Sequence, residues 1–250
     1  MDNWLERTEL LIGQESVQTL RGKHVLVVGL GGIGSFAAEF IARSGVGRIT
    51  LIDGDVFDPT NKNRQLTALD STIGRNKAVV LGERIKDINP EIQLNVLEEF
   101  VLPERVWEIL DEYKPDLILE CIDSVSPKIE WIVAAIRLKI RIISHFGAGG
   151  KMDPSRVHVA LLPKTYNCNL AAHVKKRLKK RGVDFKMVRA VFSSELQRKE
   201  SLKMTTGLNF KRSFYGTVSY MPALFGLFGA ADAIRYLAEH RTQQDAKNPQ

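Results

Sequence analysis

Cysteine is scarce: Cys121 and Cys168 are the only two in 250 residues. Two thiols cannot build a disulfide framework or a four-thiolate zinc site, which excludes disulfide-stapled scaffolds and zinc-ribbon enzymes. Also missing is any charge-free apolar run of about eighteen residues, the length a membrane-spanning helix needs. Residues 220–237 come nearest, and Asp232 and Arg235 interrupt them. The opening residues, Met1-Asp-Asn-Trp-Leu-Glu-Arg7, carry no basic-then-apolar leader pattern. These lacks predict a cytoplasmic chain with no stable membrane span. With 44% apolar and 26% charged residues, the composition is that of a folded globular protein.

Acidic residues are missing from one place. Over the whole chain Lys and Arg outnumber Asp and Glu by 36 to 29, a net of +7. Residues 163–212 hold 14 basic and 3 acidic side chains, a net of +11, which leaves the remainder at −4. The densest part is Lys175, Lys176, Arg177, Lys179, Lys180 and Arg181, and no acidic residue lies between Pro163 and Gly182. The bland explanation is a solvated helix face. The asymmetry favours a polyanionic partner for this segment.

Between residues 24 and 145, short β-branched apolar runs alternate with segments of helical period. Strands are expected at 24–29, 48–53, 94–97, 116–121 and 141–144, with helices at 33–44, 75–88, 103–113 and 127–139 between them. Such alternation requires right-handed crossovers and a mostly parallel sheet covered on both faces: a doubly wound, Rossmann-like α/β fold. After residue 145 the rhythm changes. A glycine-rich loop at 146–154 precedes strands at 156–161 and 187–192, a basic helix at 170–181, a loop at 195–214, an apolar helix at 220–238 and a frayed tail. No repeat or linker divides the chain. One domain over 1–250 is expected, with a nucleotide-binding core at 24–145 and an elaborated C-terminal part at 146–250.

Gly29-Leu-Gly31-Gly32-Ile-Gly34 lies between the first strand and the first helix. Glycines there allow a sharp turn and close backbone approach, and the free N–H groups of a helix start suit phosphate. Asp53, about 20 residues on, can hold a ribose hydroxyl. To this point an NAD-dependent oxidoreductase fits equally well. The run that follows separates the readings, because Arg64 and Lys77 supply the cations that a reacting triphosphate needs and a dinucleotide does not. Asp123 follows a strand at the carboxyl edge, where a carboxylate can meet magnesium beside phosphate oxygens; capping the next helix is its plainer role. Asp55 and Asp58 read as a solvated turn before Pro59 more than as metal ligands. His145 reads as a packed histidine more than an acid or base, and Lys151 and Asp153 either line the glycine-rich loop or end it. Cys121 belongs to an apolar strand, leaving Cys168 as the one plausible reactive thiol.

Taken together, Gly29, Gly31, Gly32 and Gly34, Asp53, Asn61, Arg64-Gln65, Lys77 and Asp123 in Cys-Ile-Asp-Ser resemble the ATP-binding pattern of ubiquitin-activating-type (ThiF/MoeB-like) adenylating enzymes. The resemblance implies that ATP and magnesium are used to form an acyl-adenylate with release of pyrophosphate. It assigns the ribose to Asp53, the phosphates to Asn61, Arg64 and Lys77, and the magnesium ion to Asp123. Within the family the chain is most similar to a branch that acts on tRNA. The marks are Asn61-Lys-Asn-Arg-Gln65, Cys121-Ile-Asp-Ser124 with Pro127-Lys128, residues 147–154, the basic stretch at 175–181 and residues 213–222. This implies adenylation of the carboxylate of threonylcarbamoyladenosine and closure of a ring with net loss of water. It also implies a homodimer in which Arg7 is the candidate to reach the partner's ATP; a sulfur-transfer protein is a further candidate partner that the sequence itself does not reveal. The alternatives are activation of a ubiquitin-like or sulfur-carrier C-terminus, disfavoured by the missing zinc thiolates and the basic segment, and a non-catalytic tRNA-binding relative.

Overall fold

The first strand reads His-Val-Leu-Val-Val and is buried along its whole length, with Val25 and Val27 in one hydrophobic cluster and Leu26 and Val28 in the other. That alternation is the period of a strand covered on both faces. In the computed structural model, which describes residues 3–204 and 213–239, this strand, β1 (His24–Val28), is joined by β2 (Arg48–Ile52), β3 (Gln93–Leu97), β4 (Leu117–Glu120), β5 (Arg141–His145), β6 (Val157–Leu161) and β7 (Arg189–Ser193). They form one sheet in the order β3-β2-β1-β4-β5-β7-β6. Neighbours run parallel except at the edge, where β6 is antiparallel to β7. The winding reverses between β1 and β4, and the crevice above their carboxyl ends is where open α/β sheets bind ligands.

The helices are α1 (Glu6–Ile12), α2 (Gln14–Arg21), α3 (Gly34–Arg43), α4 (Lys77–Ile88), α5 (Pro103–Tyr113), α6 (Val125–Leu138), α7 (Asn169–Lys180) and α8 (Tyr220–Glu239). Leu20, Ala37, Ile41, Leu81 and Phe225 build the core on one face, and Ile109, Trp131, Ile132 and Val174 that on the other. The apolar α8 packs on α3 so closely that a Cβ on Gly226 would fall 2.5 Å from the carbonyl oxygen of Ile33. Its buried Asp232 accepts from Arg189 Nε at 2.9 Å, tying the helix to β7. Among the described residues, no helix is long and apolar enough to cross a membrane.

Several boundaries shift for local reasons. The helix expected from residue 75 begins at Lys77, because Asn76 Oδ1 caps it by accepting from the N–H groups of Ala78 at 2.8 Å and Val79 at 3.3 Å. The helix expected from residue 127 begins at Val125, so Pro127 falls in the first turn, where its missing N–H is harmless. The expected loop at 195–214 is corrected: it contains a hairpin of β8 (Leu202–Met204) and β9 (Ser213–Tyr215). Residues 205–212 of that loop and 240–250 of the expected frayed tail lie outside the described residues. The N-terminal pair α1 and α2, broken at Gly13 with φ +87°, adds two elements that the strand–helix pattern did not announce.

Candidate nucleotide site and basic face

β1 hands over to α3 through a turn that only glycine can make. Gly29 has φ +83°, and a Cβ there would lie 3.0 Å from the Cys121 carbonyl carbon. On Gly34 a Cβ would lie 1.9 Å from the Gly29 oxygen. The carboxylate of Asp53, just past β2, is fastened to the same loop. Oδ2 accepts from the Leu30 N–H at 2.6 Å and Oδ1 from that of Asp55 at 2.9 Å. Burial pushes this carboxyl up, against the opposing charge of Lys77 and the two N–H groups. Gly31 faces Gln65 Nε2, 3.7 Å from where a Cβ would stand, and Gly32 is wedged between Arg64 and Pro222 of α8.

The next segment is built on a single turn of 3-10 helix at Pro59–Asn61, capped by Asp58, whose Oδ1 accepts from the Thr60 N–H at 2.8 Å. Asp58 is thus a cap. Asn61 is buried by the turn, its Oδ1 accepting from the Asp58 N–H at 3.3 Å. Arg64 Nη1 donates to the Thr60 carbonyl at 3.0 Å and to Asn63 Oδ1 at 2.8 Å. Burial lowers the pKa of this guanidinium, and the nearby Asp123 carboxylate works against the fall. Gln65 is buried, with Oε1 unpartnered among the described residues. Lys77, buried at the first position of α4, donates to Asp55 Oδ2 at 3.0 Å. Asp55 is therefore Lys77's counter-ion, and no group of three or more His, Cys, Asp or Glu able to hold a metal occurs among the described residues. Asp123 stands exposed in the loop between β4 and α6, in the electrostatic field of Arg64; the helix N-cap is Ser124. The carboxyl ends of β1, β2 and β4 thus gather the glycine turn, Asp53, Arg64, Lys77 and Asp123.

Sequence reasoning missed the pair beneath Asp123. Glu120 and Lys128 have no exposed side-chain surface and bond to each other. Glu120 ends an apolar strand and Lys128 follows a proline, so each reads as a surface charge until the fold joins them. The neighbouring His145 is buried as well, with its Nδ1 3.1 Å from the Glu120 carbonyl and 3.4 Å from Cys121 Sγ. Burial holds the ring neutral, with its pKa lowered to about 3. Its Nε2 faces α8, where a Cβ on Gly229 would lie 1.9 Å away. His145 is a packing residue. Burial also pushes the Cys121 thiol well up, in keeping with an inert role.

In the glycine-rich loop, Lys151 Nζ donates to the Ser193 carbonyl at 2.7 Å, and Asp153 caps the turn at Pro154–Arg156. Burial lowers the Lys151 pKa, opposed by Cys168 and Glu195. Cys168 is itself buried at the start of α7. Between this loop and the hairpin lies a cleft of about 380 Å³, whose walls include Gly150, Met152, Arg198, Ser201 and Thr217. Asn63 Nδ2 donates to the Thr217 carbonyl at 3.0 Å, so the cleft adjoins the segment that carries Arg64.

The basic cluster is built on a different helix from the crevice residues. It lies on and just after α7, packed beside α6, and its members divide. Lys175 donates to the Thr165 carbonyl at 2.7 Å, Arg177 to Ser126 Oγ at 3.0 Å, and Arg181 pairs with Glu130 at 2.6 Å. Lys176, Lys179 and Lys180 stand exposed. The lack of acidic residues nearby in sequence did not prevent pairing, because α6 supplies Glu130. Arg7 is exposed on α1, which buries none of its residues and presents Leu10 and Leu11 to solvent.

The model of the ThiF family matches residues 5–249. The tRNA threonylcarbamoyladenosine dehydratase of Bacillus subtilis is 43% identical over 189 residues, 76% of this chain and 74% of that protein. The dehydratase of the same name from Haemophilus influenzae is 36% identical over 239 residues, 91% of this chain and 90% of its own. The crystal structure of the Escherichia coli tRNA N6-threonylcarbamoyladenosine dehydratase in complex with ATP superimposes with a TM-score of 0.86 at 36% identity, covering 100% of this chain and 99% of that one.

Proposed function

The chain belongs to the ThiF family, and from that premise we propose that it is an ATP-dependent enzyme that dehydrates threonylcarbamoyladenosine in tRNA. The observation that carries the reading is the convergence of the glycine turn, Asp53, Arg64, Lys77 and Asp123 at the point where the sheet reverses. ATP lies with its ribose at Asp53 and its phosphates over the glycine turn, between Arg64 and Lys77. Asn61 and Gln65 shape the floor of that site. The substrate carboxylate attacks the α-phosphorus, pyrophosphate leaves, and Arg64 and Lys77 stabilise the charge that builds on the phosphate oxygens. An atom of the same modified side chain then attacks the activated carboxyl, closing the ring and releasing AMP. The oxygen lost by the nucleoside leaves on AMP, so no enzyme nucleophile is required and Cys168 can remain in the core. A single exposed carboxylate suits magnesium, which takes one or two carboxylates together with phosphate oxygens, so Asp123 would hold the ion and the ion would neutralise phosphate charge.

The whole chain acts as one unit in this reading, with the cleft beside Gly150 taking the modified nucleoside. Lys176, Lys179 and Lys180, with Arg177 and Arg181 exposed beside them and Lys175 half-buried, meet the tRNA backbone. Exposed Leu10 and Leu11 support a homodimer through α1, with Arg7, exposed on the same helix, as the candidate to reach the partner's ATP. Activation of a sulfur-carrier protein has no comparable support, since α7 offers a cationic surface suited to a polyanion and Cys168 is buried. Incubation with ATP, magnesium and bulk tRNA, followed by mass spectrometry of nucleosides and nucleotides, tests the reading. One water lost from threonylcarbamoyladenosine for each AMP formed is expected. AMP formation with the nucleoside unchanged would refute it.

A further inference from the structure

The Glu120–Lys128 pair has no part in the chemistry described so far. Both side chains are wholly buried, so neither touches a ligand. Burying two charges is costly, and an apolar pair of equal size commonly serves a fold as well or better. The pair does something an apolar pair would not. Lys128 Nζ spends all three of its hydrogens, on Glu120 Oε2, on Ser144 Oγ at 3.3 Å and on the His145 carbonyl at 2.7 Å. Ser144 Oγ donates to the same Glu120 Oε2 at 2.6 Å. The second carboxylate oxygen, Oε1, is left for the main chain and accepts from the Ile122 N–H at 2.8 Å. Asp123 is the next residue. The His145 carbonyl leads directly into Phe146, whose ring centre lies 5.1 Å from Nζ, and so into the glycine-rich loop.

We infer that Glu120 and Lys128 are positioning residues: their buried pair fixes the main-chain path of the two loops that leave β4 and β5, and so sets Asp123 against the phosphates. The inference rests on the function proposed above. Glu120 Oε1 is the working atom, because among the atoms of the pair it is the one bonded to the segment that carries Asp123. Lys128 compensates its charge and links it to the second loop.

Two double variants separate positioning from folding. Glu120→Gln with Lys128→Met removes both charges and keeps an oxygen for the Ile122 N–H. Glu120→Leu with Lys128→Met removes both charges and that oxygen. The Gln variant should keep a kcat for tRNA-dependent AMP formation close to wild type. The Leu variant should lose about 10–100-fold in kcat, as small misplacements of a reacting group do, with melting temperature and KM for ATP matching the Gln variant. Amide hydrogen exchange over residues 121–124 should quicken in the Leu variant alone. Equal kcat and equal exchange in the two variants would overturn the inference, as would a loss of kcat that merely follows a lower melting temperature. If wild type itself forms no AMP, the functional reading fails, and the exchange comparison still decides whether Glu120 holds the loop.

Discussion

At the carboxyl side of the sheet Lys128 and Lys151 are closed off from solvent and Lys77 nearly so, whereas Lys176, Lys179 and Lys180 stand open on α7. Each buried ammonium is met by oxygens of this chain: a carboxylate for Lys77, a carboxylate, a hydroxyl and a carbonyl for Lys128, carbonyls for Lys151. A buried charge needs such partners, so its place is dictated to a fraction of an ångström and its removal acts at one point. The α7 lysines act together through a field that salt screens within about 8–10 Å. A single substitution that strands the partner of a buried charge is therefore expected to be nearly all-or-none, and one on α7 graded.

The largest effect should come from Lys77→Ala. Turnover should fall about 10²–10³-fold, the usual cost of losing one contact to developing transition-state charge, while tRNA affinity holds. A rate assay and a tRNA-binding titration run side by side decide it; wild-type turnover would erase the distinction between the two sets. The next is the triple change Lys176→Gln, Lys179→Gln and Lys180→Gln. If these residues meet phosphates, log affinity for tRNA plotted against log salt should flatten by somewhat under one unit per lysine, with ATP binding unaltered. An unchanged slope would detach α7 from RNA.

The smallest effect lies between the two classes. Glu39 is buried, but its partners Arg43 and Arg84 have side chains 52% and 43% exposed. Burial pushes the Glu39 carboxyl up, and the hydrogen bonds and charges of Arg84 and Arg43 together outweigh it, holding the group below its ordinary 4.5. A carboxyl depressed in the folded state adds stability above its unfolded pKa, and that stability is lost as pH falls through the folded value. Wild type should exceed Glu39→Gln by on the order of 1 kcal/mol at neutral pH, given the half-exposed partners. Melting curves taken at intervals down to low pH should show the gap closing below 4.5. A gap that widens in acid would reverse the sign of the argument.

The Rossmann-like core was legible because β1, β2, β4 and β5 are short apolar runs buried along most of their length, and because the glycine turn, Asp53 and Asp123 sit at element ends, where sequence punctuation is strongest. Asp55 as the partner of Lys77 was not legible: their contact depends on how a strand end meets a helix start 22 residues later. Glu120 and Lys128 were hidden for a related reason, since two charges eight residues apart belong to a strand and a helix that only the sheet brings together. The β8–β9 hairpin escaped because strands of three residues are too short to show alternation. On α7 the spacing of the lysines was readable, but not the contribution of Glu130 from α6.

The contact of His145 with Gly229 constrains the order in which this chain can change over generations. The ring is held at Nδ1 by the Glu120 carbonyl and walled in on every side, so it cannot swing aside for a methyl group that would arrive 1.9 Å from Nε2. A lineage that trims the histidine first gains freedom at the glycine; one that fills the glycine first meets a clash. The two positions are therefore coupled in order, and a selection run from either starting point would reveal which step opens the other.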